Sequence, residues 1–285
     1  MTLCVQSLDF AYGRNRIYDH FNISFQNGIH ILIGSNGSGK TTLMKLLAGI
    51  YTPKSGQILL NDKKYSDYPD IRRLIAYIPQ EFDAYKDMTV RDFLTFIAEI
   101  KQRKKSKFLQ SSIDEAMKTA DVAEFAQKKI KALSGGMKKR VGIAQALVSN
   151  AQILIADEPT AALDPEQCES FSRILKRISS DKIIILSTHI LQDIYAGCDQ
   201  IYVLSDGVLK FQGTKPDLDN TLKNKIFKVR KESGDTWHDQ NLKILDEIEE
   251  NGQLYWKIAV DDPNTLGVDY EPCAYTSADI WRYYK

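Results

Sequence analysis

With 285 residues, of which 43% are hydrophobic, the chain is long enough for about two domains with a buried core. Its 38 Lys and Arg residues balance 37 Asp and Glu residues, so the formal net charge of +1 provides no overall field to attract nucleic acid or an anionic membrane. Apolar runs are far shorter than the roughly 18 to 20 residues of a membrane span, the N-terminal sequence lacks the pattern of a secretory signal, and the four scattered cysteines are typical of reduced cytosolic thiols.

Residues 1–30 carry apolar side chains close to strand spacing and are divided by the polar residues 14–16, which predicts a small antiparallel sheet. Tyr12 lies at its first turn, where an aromatic ring can stack on a nucleotide base, an interaction worth roughly 1 to 3 kcal/mol. The ring could instead merely pack over the hairpin, and both interpretations stay open at this point.

A glycine-rich turn at residues 34–42 follows the apolar run 29–33 and opens a helical pattern. It matches G-x-x-x-x-G-K-[ST] in full, and in this pattern glycines let successive backbone N–H groups curl around a phosphate at a helix N-terminus. Lys40 is placed to reach the β- and γ-phosphates, and Thr41 to ligate Mg²⁺. The predicted nucleotide-binding positions are Gly34, Ser35, Asn36, Gly37, Ser38, Gly39, Lys40, Thr41 and Thr42.

The next strands are predicted at residues 57–61 and 75–78, and the second stops at Pro79 and Gln80. A glutamine at a strand end can contact a metal or a water and still move with a neighbouring loop. Taken alone, Gln80 would be an ordinary surface residue, and only its context makes it a candidate.

From residue 89 to 149 the apolar residues recur at helical spacing. The basic run at residues 101–107 could lie near anionic headgroups, but so short a run without an amphipathic anchor favours a solvated helix end. Residues 133–137 then read Leu-Ser-Gly-Gly-Met before another helix. Ser134 is placed to cap this helix and Gly135 and Gly136 leave its N-terminus open, so it is either a second phosphate-binding point or a capped helix that serves stability alone.

Residues 153–156 form a short apolar run typical of a buried parallel strand. Asp157 and Glu158 follow at its carboxyl end, where ligands of open α/β sheets bind. Asp157 is suited to hold Mg²⁺ through water and Glu158 to polarise an attacking water, although Asp-Glu-Pro could also simply end a strand. A further strand, 183–186, leads to His189, which can bond a γ-phosphate or hold the carboxylate and water in place.

Residues 216–220 are rich in turn-forming side chains and predict a boundary. Beyond it, residues 226–229 and 254–260 predict strands, and residues 242–250 a helix. This unit carries no phosphate or metal motif, so it regulates, dimerises or merely covers the core, and the sequence does not rank these roles.

Taken together, the motifs resemble the ATP-binding cassette family over residues 1–214. Residues 34–42 resemble its Walker A loop, Gln80 its Q-loop glutamine, residues 133–137 its signature, and residues 153–158 its Walker B strand with the catalytic glutamate. Met137 departs from the Gln or Glu that is usual in the signature.

The resemblance adds roles for three further positions: Tyr12 as the adenine-stacking aromatic, Asp164 in the D-loop, and His189 as the switch histidine. The residues that it implies for chemistry are Glu158, His189, Lys40 and Gln80 for catalysis and Thr41, Gln80 and Asp157 for the metal. The implied nucleotide contacts beyond the phosphate loop are Tyr12, Ser134, Gly135, Gly136 and Asp164.

The implied fold is α/β, a P-loop NTPase core with an antiparallel β subdomain and a helical subdomain, plus a small α+β C-terminal appendage. We expect an ATP-binding cassette domain at residues 1–215, with its helical subdomain at about 83–150, and an accessory domain at residues 216–285.

The implied function is ATP hydrolysis coupled to membrane transport, with ATP and Mg²⁺ bound between two head-to-tail copies, or between this chain and a paralogous ATPase subunit. Lys40, Thr41 and Asp157 of one chain would then enclose the γ-phosphate with Ser134 and Gly136 of the other. A separate transmembrane permease is expected as partner, which would place the chain peripherally on the cytoplasmic face of the membrane. Residues 138–140 and 275–281 resemble the ATPase subunits of drug, lantibiotic and bacitracin-type exporters.

Two other functions remain open. A non-transport cassette ATPase acting on ribosomes or chromosomes usually carries two cassettes or a long coiled-coil insertion, and neither is present here; no nucleic-acid partner is expected. A nucleotide-binding regulatory subunit without turnover is disfavoured because both Glu158 and His189 are present.

Overall fold

The computed structural model describes residues 1–80, 85–103, 105, 108–161, 163–188, 197–231, 242–266 and 268–285. Four positions singled out from the sequence lie outside these ranges: His189, and Lys104, Ser106 and Lys107 of the basic run. Ala162 lies outside them as well, within residues 161–164, which resemble the D-loop.

The strands, in chain order, are β1 (Thr2–Tyr12), β2 (Asn15–Gln26), β3 (Gly28–Ile33), β4 (Ser55–Leu60), β5 (Lys63–Lys64), β6 (Ile75–Ile78), β7 (Ile153–Ala156), β8 (Ile183–Ser187), β9 (Gln200–Ser205), β10 (Val208–Gly213), β11 (Ile226–Arg230), β12 (Leu242–Glu250), β13 (Gln253–Val260) and β14 (Tyr270–Pro272). The helices are α1 (Lys40–Leu47), α2 (Val90–Gln102), α3 (Gln110–Thr119), α4 (Gly135–Val148), α5 (Pro165–Ile178), α6 (Lys215–Leu222) and α7 (Ser277–Tyr284).

A six-stranded sheet in the order β10-β9-β3-β8-β7-β6 forms the centre of the fold. Five neighbouring strands, β9, β3, β8, β7 and β6, run parallel to one another. Strand β10 forms an antiparallel hairpin with β9 at one edge of the sheet. Strands β3, β7 and β8 are buried along their whole length, as expected for parallel strands covered on both faces. Because these strands are parallel, their carboxyl ends meet at one edge of the sheet.

The predicted N-terminal antiparallel sheet is confirmed, in the order β2-β1-β4-β5. It packs with α1 on one face of the central sheet, where Tyr18, Phe25 and Leu43 are fully buried in one cluster. The opposite face is covered by the helices of the region predicted to be helical and by α5. Thr89 caps the first of these helices, α2, by accepting a hydrogen bond from the backbone N–H of Asp92.

The C-terminal residues form a four-stranded antiparallel sheet in the order β12-β13-β11-β14, followed by α7. The helix predicted at residues 242–250 is wrong, because this segment is strand β12 and pairs with β13. Its apolar residues are spaced as in a helix, but they serve two faces of a sheet. Leu242 packs with Val260 on one face, whereas Leu245 is buried in the main core on the other.

The turn-forming residues at 216–220 lie inside helix α6, so this segment is a helix and not an irregular turn. Thr214 and Asp217 form a reciprocal capping box, and Pro216 lies in the first turn, so residues typical of turns here start a helix. Leu218 is fully buried in the same core as Ile226 and Ile280. The helix therefore packs the C-terminal sheet against the central one, and the domain limits at residues 215 and 216 stay a prediction.

Candidate functional site

A cavity of about 1030 Å³ lies at the carboxyl edge of the central sheet. Its volume is at the upper end of the roughly 300 to 1000 Å³ found for small-molecule sites. Eleven of its lining residues were predicted from the sequence: Tyr12, Gly34, Ser35, Asn36, Gly37, Gly39, Lys40, Thr41, Thr42, Gln80 and Glu158. The other four lining residues were not predicted: Asn15, Ile17, Trp281 and Lys285.

The loop between β3 and α1 requires glycine at specific positions. Gly37 and Gly39 have φ angles of 85° and 106°, a region that side chains rarely adopt. A Cβ on Gly39 would lie 2.5 Å from the Tyr18 hydroxyl, and one on Gly34 would lie 2.4 Å from the Leu204 carbonyl oxygen. The backbone thus forms the tight cradle that the phosphate-loop pattern predicts.

Ser38, also in this loop, is buried, and its Oγ has no hydrogen-bond partner among the residues that the structure describes. Leaving a buried hydroxyl unpaired costs about 1 to 3 kcal/mol. An unpaired hydroxyl in a loop that opens a helix fits a site for an acceptor-rich ligand such as a phosphate.

The Lys40 ammonium is buried and donates hydrogen bonds to the carbonyl oxygens of Gly34 at 2.7 Å and Ser35 at 2.9 Å. An ammonium group has three N–H donors, so these two bonds leave capacity for a third acceptor. Burial lowers the pKa of Lys40 from its ordinary value, and the carboxylates of Glu158 and Asp157 partly oppose that shift. Burial deprives the ammonium group of hydration, and an anion bound next to it would compensate for that loss by Coulomb attraction.

Tyr12 is 45% exposed at the mouth of the cavity. Its ring makes edge contacts with Phe10 and Tyr51, at centroid distances of 5.1 and 5.8 Å, and its hydroxyl lies 3.3 Å from Thr42 Oγ1. The packing of the ring over the hairpin is thus confirmed, and its stacking on a nucleotide base stays a prediction. The ring packs over the hairpin by its edges and still contributes surface to the cavity.

Three strand ends bring Asp157, Glu158, Ser187 and Gln80 into one hydrogen-bonded group. Ser187 Oγ donates to Asp157 Oδ1 at 2.6 Å and accepts from the backbone N–H of Glu158 at 2.8 Å. Gln80 Nε2 donates to Glu158 Oε2 at 2.9 Å. Glu158 also has a φ angle of 45°, a left-handed backbone conformation that non-glycine residues rarely adopt and that often marks functional positions.

These side chains offer the oxygen donors that Mg²⁺ prefers: the Thr41 hydroxyl, the Gln80 amide oxygen and the Asp157 carboxylate. Gln80 uses its amide nitrogen for Glu158, which leaves the amide oxygen for a cation. Asp157 is buried, and Ser187 bonds only one of its two oxygens. The donor set therefore fits the predicted metal.

Lys139 is a participant that sequence reasoning missed. Its side chain is buried on α4, and Nζ donates to the backbone carbonyl of Gln80 at 2.7 Å. Burial lowers the pKa of this lysine, and Asp157 and Glu158 oppose the shift. The available signal was its position in the basic stretch after the signature, but the sequence does not show which of these cations turns inward.

The signature residues lie elsewhere on the surface. Ser134 caps α4 by accepting from the Met137 N–H at 3.3 Å, and both Ser134 and Gly135 are exposed. Gly136 is buried, and a Cβ there would lie 2.3 Å from Gln167 Oε1. Asp164 caps α5 by accepting from the Gln167 N–H at 2.8 Å. Among the described residues, these four predicted nucleotide contacts do not line the cavity.

The surroundings of Met137 account for the departure of this residue from the Gln or Glu that is usual in the signature. Its side chain is partly buried against the main hydrophobic core, a position suited to a thioether.

Comparison with known proteins agrees with this geometry. A family model described as "ABC transporter" matches residues 18–161. The "Uncharacterized ABC transporter ATP-binding protein YxlF" of Bacillus subtilis is 35% identical over 239 residues, which cover 82% of this chain and 79% of that protein.

Two solved structures show the same fold. The structure of cbiO1 from Clostridium perfringens, part of the ABC transporter complex cbiONQ, is 28% identical with a TM-score of 0.69, and the match covers 76% of this chain and 90% of that one. The dimeric post-hydrolysis state of the cassette MJ0796 bound to ADP and Pi is 25% identical with a TM-score of 0.66, and covers 74% and 98%. The chain belongs to the ATP-binding cassette family and is an ATP-hydrolysing, ATP-binding subunit of an ABC transporter.

Proposed function

We propose that the chain works as a head-to-tail dimer that hydrolyses ATP-Mg²⁺ to power an exporter of a peptide or drug-like substrate. The observation that carries the dimer is the separation of two phosphate-binding elements. The phosphate loop and Glu158 share one cavity, whereas the exposed N-terminus of α4 at Ser134 and Gly135 lies outside it. A second copy can bring its own Ser134 to the first copy's cavity.

Within one copy, the loop N–H groups and Lys40 would bind the β- and γ-phosphates, and Tyr12 would pack on the base. Glu158 would orient the attacking water, with its carboxylate held by Gln80 and its backbone held by Ser187. His189 is proposed to fix the γ-phosphate, as the family resemblance implies. Mg²⁺, held by Thr41, Gln80 and Asp157, would neutralise charge on the phosphate oxygens. Positioning and electrostatics carry nearly all such catalysis.

From the partner copy, Ser134 and the N–H groups at the start of α4 would close over the γ-phosphate. Gly135 has open space around its Cβ position, so nothing in its own chain obstructs approach of a phosphate there. Asp164 would join this interface through the D-loop. The dimeric assembly of the MJ0796 cassette with ADP and Pi supports this arrangement.

Transport requires a partner that spans the membrane. In the described ranges, no helix is long and apolar enough to do so. We propose a separate permease whose cytoplasmic segment docks near Gln80 and α2, which would hold this chain peripherally on the cytoplasmic face. The exporter assignment rests on the resemblance of residues 138–140 and 275–281, and cbiO1, a part of the cbiONQ complex, supports assembly with other subunits.

The test is Glu158→Gln, which keeps the size and hydrogen bonding of the side chain but removes its charge. We expect this variant to bind ATP, to accumulate as a dimer by light scattering and to release no phosphate. A variant that stays monomeric with full turnover would contradict the proposal.

A further inference from the structure

The C-terminal helix α7 reaches the nucleotide cavity of its own chain. Trp281 and Lys285 line the same cavity as Tyr12, Lys40 and Glu158. The indole of Trp281 is only partly exposed. An aromatic ring and an ammonium thus join a cavity whose remaining wall is mostly loop backbone and polar side chains.

The start of α7 is fixed to the C-terminal sheet by a buried ion pair. Lys257 Nζ on β13 lies 2.6 Å from Asp279 Oδ2, and these side chains are 6% and 1% exposed. The same carboxylate oxygen accepts from the N–H and hydroxyl of Thr276, at 2.6 and 2.8 Å. A buried pair with these additional bonds has little freedom to rearrange.

A second anchor lies directly beside Trp281. Arg282 Nη1 donates to the Leu245 carbonyl oxygen at 2.6 Å and pairs with Asp246 Oδ2 at 2.6 Å, both on β12. The Arg282 guanidinium carbon lies 5.4 Å from the centre of the Trp281 ring, within cation–π range. The position of the indole is therefore set by the C-terminal sheet.

The same helix is also held by the nucleotide-binding core. Ile280 is fully buried in the main core, and Tyr284 packs on Phe211 of β10 with a centroid distance of 5.8 Å. The adjacent strand β9 ends at the hairpin whose Gly207 N–H donates to the carbonyl of Ser38 in the phosphate loop at 3.2 Å. A displacement of α7 would thus alter the contacts that support the phosphate loop at the cavity.

We propose that Trp281 contacts the bound adenine nucleotide and links occupancy of the site to the seating of α7 on the C-terminal sheet. This inference rests on the proposed nucleotide site and gives the accessory residues a role as a sensor of that site. Because binding linkage is reciprocal, ATP stabilises the seated helix, and release of the helix weakens ATP binding.

The test uses the full chain and its tryptophan fluorescence. The chain has three tryptophans, and Trp256→Phe serves as the matched control because Trp256 lies on β13, outside the cavity lining. We expect ATP-Mg²⁺ to change the emission of the wild type and of Trp256→Phe, and not that of Trp281→Phe. Loss of an aromatic contact worth about 1 kcal/mol corresponds to roughly five-fold weaker ATP binding in Trp281→Ala.

A second variant tests the link without altering the ring. Asp246→Asn keeps the fold of β12 but weakens the Arg282 anchor, so it should also weaken ATP binding, by less than Trp281→Ala. Unchanged ATP affinity in Trp281→Ala, tighter binding in it, or a full emission change in Trp281→Phe would each overturn the inference. In all three outcomes the wild type still binds ATP, whereas a wild type without ATP binding would instead contradict the proposed function.

Discussion

Gln80 donates a 2.9 Å hydrogen bond from its side-chain amide to the carboxylate of Glu158, while the backbone carbonyl of Gln80 accepts one from Lys139 at 2.7 Å. Gln80, which follows β6, is thus held from two sides. Glu158, proposed to orient the attacking water, bonds its side chain, and Lys139 on helix α4 bonds its backbone. These two hydrogen bonds connect Gln80 to Glu158, which follows β7, and to helix α4.

Gln80→Ala should therefore lower turnover about tenfold or more, because Glu158 loses the donor that fixes its carboxylate. ATP affinity should change less, since the phosphate loop is intact. Phosphate release and calorimetric ATP titration separate these two quantities. An unchanged rate in this variant would show that the Gln80–Glu158 bond does not matter for turnover.

Lys40→Ala should abolish measurable ATP binding, because Lys40 is the buried cation of the phosphate loop. The matched control is Lys45→Ala, on the same helix but outside the cavity lining, which should bind ATP like the wild type. Calorimetry measures both. Equal affinity of Lys40→Ala and the control would contradict the role of the loop.

Lys139 gives a pH-dependent prediction. Burial holds its pKa in the folded chain below its ordinary value of 10.5. At a pH between the lowered pKa of the folded chain and the ordinary pKa of the unfolded chain, the unfolded chain binds more protons than the folded chain. The contribution of Lys139 to the free energy of unfolding therefore rises with pH through this range. In urea unfolding, the stability of the wild type relative to Lys139→Met should increase from neutral to alkaline pH. A difference that falls with pH would mean that the group is not desolvated as described.

The buried pair of Lys257 and Asp279 predicts a large loss of stability when one partner is removed. Asp279→Ala leaves the ammonium of Lys257 buried without its partner, which costs about 3 to 5 kcal/mol. Replacing both residues, as in Lys257→Met with Asp279→Leu, should recover much of this loss. Urea unfolding of the single and double variants measures the difference, and equal stability of all three chains would exclude the pair as an anchor of α7.

The phosphate loop and the residues at the end of β7 were predictable from the sequence because their signals are local. A glycine pattern between a strand and a helix, or two carboxylates after a short apolar run, specifies its own surroundings. In the structure, residues 34–37 and 39–42 line one cavity together with Glu158.

The residues that were missed depend on contacts between distant parts of the chain. Lys139 looks like its basic neighbours until α4 packs beside β6, and Trp281 lines the cavity only because β12 and β13 hold α7 in place. Segment β12 was predicted as a helix because its apolar residues recur at helical spacing. The sequence does not show that these residues are buried on two opposite faces of a strand. Helix α6 was missed because Thr214, Pro216 and Asp217 are common both in turns and in the first turn of a helix.

The central claim is that each ATP site combines the phosphate loop of one copy with the signature of another. Two variants made in the Glu158→Gln background test it: Lys40→Ala removes the loop's cation, and Ser134→Arg blocks the exposed start of α4. We predict that neither variant dimerises with ATP alone, but that a mixture of the two forms dimers that hold one ATP per pair of chains, measured by light scattering and nucleotide stoichiometry. ATP-dependent dimers of either variant alone, or a mixture that stays monomeric, would contradict the shared site.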